Sequence, residues 1–79
     1  NKIFIHIASF YSVDTANFLK QRIVKEVSDF DINKLKINLI NKKETHVISG
    51  PYTSVNLLKN DYIILKNFGF EELDIYTNE

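Results

Sequence analysis

The chain has no cysteine, no methionine and no tryptophan, and only one proline and two glycines among its 79 residues. Without cysteine there is no disulfide staple, no thiol nucleophile and no thiolate metal ligand, and the redox compartment is left open. Neither sign of charge is in excess, because ten acidic side chains balance ten basic ones. That balance excludes the basic footprint expected of a nucleic-acid binder. It also weighs against docking on anionic membranes. Apolar runs extend over only a handful of residues, which excludes a membrane-spanning helix. The chain does not begin with methionine, and the expectation is a domain cut from a longer protein whose anchors and targeting segments lie elsewhere.

What is present is ordinary in amount and particular in order. A hydrophobic content of 44% and a charged content of 25% fit a soluble globular fold. The length makes one domain, residues 1–79. A chain this short buries only roughly 60% of the surface its unfolded form exposes, so its core is a single thin layer.

Lys2 to Ile7 alternates, with Ile3, Ile5 and Ile7 on one face and Phe4, His6 and then Ala8 on the other. Period two with β-branched residues predicts a strand buried on one side. Ser12 is a predicted helix N-cap, with Asp14 in the first turn where its charge suits the helix dipole. Val13, Ala16, Leu19, Ile23 and Val27 form one helical stripe, while Phe18 falls on the opposite side, exposed or covered by Phe30 or Ile32. After a connection over residues 28–33, Leu35 to Ile40 alternates again, with Leu35, Ile37 and Leu39 inward and Lys36, Asn38 and Ile40 outward. Asn41 to Glu44 is short and polar, as a hairpin turn should be. Thr45 to Ser49 is the third strand, with Val47 and Ser49 inward and His46 and Ile48 outward. Ser54 caps a second helix with the stripe Val55, Leu58, Tyr62 and Leu65, which Gly69 ends. Leu73 to Tyr76 is a last short strand, with Leu73 and Ile75 inward.

One layout occurs twice. Ile3 to Ser12 and Thr45 to Ser54 each run as strand, tight turn, aromatic and helix cap. With Phe10 set on Tyr52, Ala8 falls on Gly50, Ser9 on Pro51, Ser12 on Ser54, Ala16 on Leu58 and Ile23 on Leu65. The order strand, helix, strand, strand, helix, strand predicts an α+β fold of the ferredoxin-like, RNP-like βαββαβ type. Its four-stranded antiparallel sheet carries both helices on one face, with the first and third strands central. The other face is open and carries Phe4, His6, Ala8, His46 and Ile48, bordered by Asn38, Ile40 and Tyr76.

The stretches I-F-I-H-I-A-S-F-Y-S and H-V-I-S-G-P-Y-T-S, each followed by a helix, resemble the sporulation-related repeat, the SPOR domain of bacterial cell-envelope proteins. The resemblance runs from about Lys2 to Tyr76. In that family the first strand ends in Gln, a small hydrophobic residue, Gly, Ser or Ala, and Phe; the third ends in Arg-Val-x-Val-Gly-Pro-Phe. By position the family's Gln is His6, its Ser is Ser9 and its Arg is His46, with Ile48 the next outward position. Ala8 stands for the Gly, Tyr52 for the Phe and Leu58 for an Ala. The resemblance implies a non-catalytic module that binds peptidoglycan glycan strands stripped of their stem peptides. It implies a periplasmic or envelope location at the division septum, and a parent protein that is a cell-wall hydrolase, a lytic transglycosylase or a membrane-anchored division protein.

Such a ligand needs amide, hydroxyl or imidazole partners over an apolar floor. His6, Ser9, Asn38 and His46 are the candidate polar contacts; Phe4, Ile48 and Tyr76 are the candidate floor, and Lys36 is the nearest outward cation. No metal site is expected, since two outward histidines lack a third ligand. No cofactor is expected either. No Ser sits in a nucleophile-elbow pattern such as G-x-S-x-G, so catalysis by Ser9, His46 and Asp14 is not expected. Glu26, Asp29, Asp31, Glu71 and Glu72 read as solvating charges, and Phe10 and Tyr52 as plugs at the ends of the core. The expected partner is the glycan strand, with no nucleic acid, no insertion into membrane and a monomeric state. Two other readings share the topology. One is a protein-interaction or small-ligand regulatory domain; the other, an RNA-recognition module, would need a basic aromatic third strand that Thr45 to Ser49 lacks.

Overall fold

A computed structural model of the chain describes residues 2–28 and 30–78; Asp29, read above as a solvating charge, lies outside them. The elements run β1 (Lys2–Phe10), α1 (Val13–Glu26), β2 (Leu35–Asn41), β3 (Glu44–Tyr52), α2 (Val55–Phe68) and β4 (Asp74–Asn78), with a single 3₁₀ turn at Ile32–Lys34 ahead of β2. The strands form one sheet in the order β2-β3-β1-β4, and every pairing is antiparallel. This is the α+β, ferredoxin-like arrangement expected from the sequence.

Each helix starts where a serine caps it. Ser12 Oγ accepts the Thr15 N–H at 3.3 Å, and Ser54 Oγ accepts the Leu57 N–H at 3.2 Å. A cap of this kind stabilises a helix by about 1 kcal/mol. Gly69 ends α2 with φ +131°; the Phe70 N–H returns to Leu65 O and the Gly69 N–H to Lys66 O, the crossed pattern that satisfies the last carbonyls.

Between the helices and the sheet lies the core: Ile5, Ile7, Ala16, Ile23, Val27, Phe30, Leu35, Val47, Tyr52, Leu58, Leu65 and Leu73. Each large aliphatic among them contributes roughly 1.5–3 kcal/mol by leaving water. The stripes are shorter than the sequence suggests. Val13 and Val55, the first residue of each helix, project past the sheet into solvent. Leu39 and Ile75 have the inward phase but are 61% and 54% exposed; both lie on outer strands, and on β2 the cover that takes in Leu35 and part of Ile37 stops short of Leu39 at the hairpin end. Phe18 is exposed, while Phe30 is buried in the core itself.

Pairing is interrupted three times. Ile3 faces Tyr52 but Ile5 faces Ser49, so β3 carries an extra residue at Gly50–Pro51, where the peptide bond is cis. His6 faces Ile48 and Ala8 faces Val47, so β1 carries an extra residue at Ile7. A third shift sits between Leu39 and Asn41 in β2. An extra residue breaks the two-residue alternation. Beyond Ile7 the faces of β1 exchange: Ala8 and Phe10 pack against the core, and Ser9 comes out opposite His46. The expectation that Ala8 lies on the open face is thereby corrected.

Candidate functional site

The sheet face away from the helices carries residues from all four strands. Phe4, His6 and Ser9 come from β1, and Glu44, His46 and Ile48 from β3. Asn38 lies across from His46 on β2, and Asp74 and Tyr76 lie across from His6 and Phe4 on β4. Because β1 and β3 are the central pair, their side chains meet in the middle of the face.

At one end Phe4 and Tyr76 stack, their ring centroids 5.3 Å apart and their planes 14° from parallel. Gly50 lies directly against Phe4: a Cβ on it would fall 2.6 Å from the Phe4 ring, and its φ of +147° favours glycine independently of that contact. Phe4 and Ile48 are only 8% and 6% exposed, although neither belongs to the helix-covered core. Phe4 is covered on its own face by the Tyr76 ring and by Gly50. Burial raises the Tyr76 phenol above its ordinary pKa.

In the middle the two histidines meet edge to face, with centroids 4.7 Å apart and planes at 83°. His6 Nε2 is hydrogen-bonded to Ser9 Oγ at 2.9 Å. The Ile7 irregularity makes that bond possible, since it turns Ser9 to the same side as His6. His46 Nε2 lies 2.7 Å from Glu44 Oε2, and because a carboxylate only accepts, this ring nitrogen carries the proton. Burial, followed by the adjacent His46 ring, holds His6 below the usual imidazole pKa, against an opposing pull from Asp74 and Glu44. The rings, Ser9, Glu44, Asp74, Ile75 and Tyr76 line a shallow hollow of about 560 Å³.

All seven residues singled out from the sequence thus lie on one face. His6, Ser9 and His46 are in mutual contact or register, Phe4 and Tyr76 form a separate stacked pair, and Asn38 is exposed beside His46. Two carboxylates were missed. Glu44 precedes His46 by two residues and Asp74 precedes Tyr76 by two, so strand alternation alone would have put both on this face. Glu44, expected in the turn, is the first residue of β3 and pairs with Asn41.

The helix side of the same strands behaves differently. Tyr52 is fully enclosed, its hydroxyl donating to Asp61 Oδ2 at 2.7 Å and receiving from Ser49 Oγ at 2.6 Å. Burial and then the Asp61 bond raise its pKa well above the ordinary phenol value. Those groups are spent on holding β3 to α2. Among the described residues no group of three or more His, Cys, Asp or Glu side chains is set to hold a metal ion. No described helix is long and apolar enough to cross a membrane.

No protein-family model, curated protein or solved structure matches this chain.

Proposed function

We propose that the open sheet face is a carbohydrate-binding surface, and that the domain holds its parent protein on peptidoglycan glycan strands whose stem peptides have been removed. The observation that carries the reading is the His6–Ser9–His46 group set beside the Phe4–Tyr76 stack on the side of the sheet that the helices leave uncovered. A bare glycan presents hydroxyls, acetamido groups, lactyl carboxylates and flat C–H faces. Imidazole, hydroxyl and carboxylate groups can exchange hydrogen bonds with the first two, the exposed part of the Tyr76 ring can take the last, and Lys36 on the edge strand supplies a cation. The resemblance to SPOR domains adds the same ligand class independently of this geometry. The role is binding rather than catalysis, in the bacterial envelope at the division septum, where stripped strands gather.

Retention on cell-wall sacculi tests it. Purified domain should sediment with sacculi, and more strongly with sacculi pretreated with an amidase that strips the peptides. His6→Ala combined with His46→Ala should reduce retention while leaving the circular dichroism spectrum unchanged. Absence of retention on either preparation would end the proposal.

A further inference from the structure

A second hollow, of about 500 Å³, lies at the hairpin end of the sheet, lined by Ser9, Phe10, Tyr11, Asn41, Lys43 and Glu44. It shares Ser9 and Glu44 with the hollow over the histidines, so the two are continuous across those residues. Tyr11 is 85% exposed, the most solvent-open of the large hydrophobic side chains among the described residues. Its backbone is nonetheless held on both sides: Phe10 packs against the core before it, and Ser12 caps α1 after it. A large exposed ring on a held backbone presents a flat face to a ligand, which then has only the side-chain torsions left to order.

The charges around it are also divided. Glu44 is engaged by His46, whereas Lys43 forms no ion pair among the described residues. The Lys43 backbone N–H is held by Asn41 Oδ1 at 2.9 Å, which fixes the turn that carries the ammonium. The hollow therefore offers an aromatic face, a hydroxyl and an unpaired cation side by side.

We infer that this hollow is a second sugar subsite that selects a ring bearing a carboxylate, with Tyr11 under the ring and Lys43 on the carboxylate. The inference rests on the glycan reading above and extends it. A strand lying over the histidines continues past Ser9 to the hairpin, and its lactyl-bearing residue is read there. The domain then distinguishes denuded peptidoglycan from chitin, which has the same acetamido-sugar backbone without the lactyl acid.

Titration of the intact domain with a denuded peptidoglycan oligosaccharide and with a chitin oligosaccharide of equal length decides the matter. Wild-type protein should prefer the former. Tyr11→Ala should weaken binding of both about three- to tenfold. Lys43→Ala should weaken only the carboxylated one, about two- to fivefold, a difference that high salt erases in the wild type. Both side chains are exposed, so both variants should fold, and unchanged urea midpoints would verify it. If either variant binds as wild type does while His6→Ala is impaired, the second subsite is refuted and the glycan reading stands. If the wild type binds neither sugar, both fall together.

Discussion

The two strand–turn–helix halves of this protein follow one local recipe and put it to different uses. In both, a serine caps the helix, the fourth residue after it is buried, and so is a residue two turns later: Ala16 and Ile23 in the first half, Leu58 and Leu65 in the second. They part at the aromatic. Tyr52 is enclosed and tied through its hydroxyl to Asp61 and Ser49, whereas Phe10 is only partly covered and is followed by the exposed Tyr11. Thr53, the counterpart of Tyr11, follows a residue already sealed into the core. At this position the second half anchors the fold, and the first, with the same signals, builds the rim of the open face.

Truncating the two aromatics gives the largest contrast. Tyr52→Ala should cost about 3–5 kcal/mol, a large share of the roughly 5–15 kcal/mol available to a domain, and Phe10→Ala about 1–2 kcal/mol. Urea denaturation measures both, and equal losses would break the distinction between anchor and rim. A smaller effect tests the strand exits. Gly50 needs its positive φ and its close approach to Phe4, while its counterpart Ala8 already carries a Cβ. Gly50→Ala should cost about 2–3 kcal/mol and disturb the Phe4–Tyr76 stack, seen as shifted aromatic proton resonances. Ala8→Gly should leave that stack alone.

The smallest effect is a pH dependence. Since the His6 imidazole titrates below its ordinary value of 6.5 in the folded protein, the unfolded chain takes up that proton first as pH falls. The stability tied to this group is complete above the unfolded value and is lost as pH drops through it toward the folded one. Urea midpoints at about pH 7.5 and pH 5.5 should therefore lie closer together in His6→Gln than in the wild type. An unchanged gap would show that the first half holds no such group.

Alternation, two caps and two apolar stripes make the element order and the helix side legible in the sequence, because each is a short-range signal. The position of Ser9 is not. Nothing in I-H-I-A-S announces an extra residue at Ile7, since that irregularity arises from pairing between strands far apart in the chain. Solvent exposure of Leu39 and Ile75 was hidden for a related reason: phase says which way a side chain points, and the reach of a helix says whether anything covers it. Phe4 and Ile48 show the reverse case, pointing away from the helices and yet buried. His6, His46 and Ile48 were legible because they lie where the alternation is unbroken.

The extra residue in β1 has an evolutionary corollary. It takes up one residue within a single strand, so that the segments on either side stay in step with consecutive residues of β3. Loss of Ile7 would restore plain alternation and leave His6 opposite Ile48, Ala8 opposite Val47 and Ser9 opposite His46, each on the face it already occupies. The contact surface of this fold can thus outlast the loss of one residue from the strand that builds it, with Ser9 still beside His46.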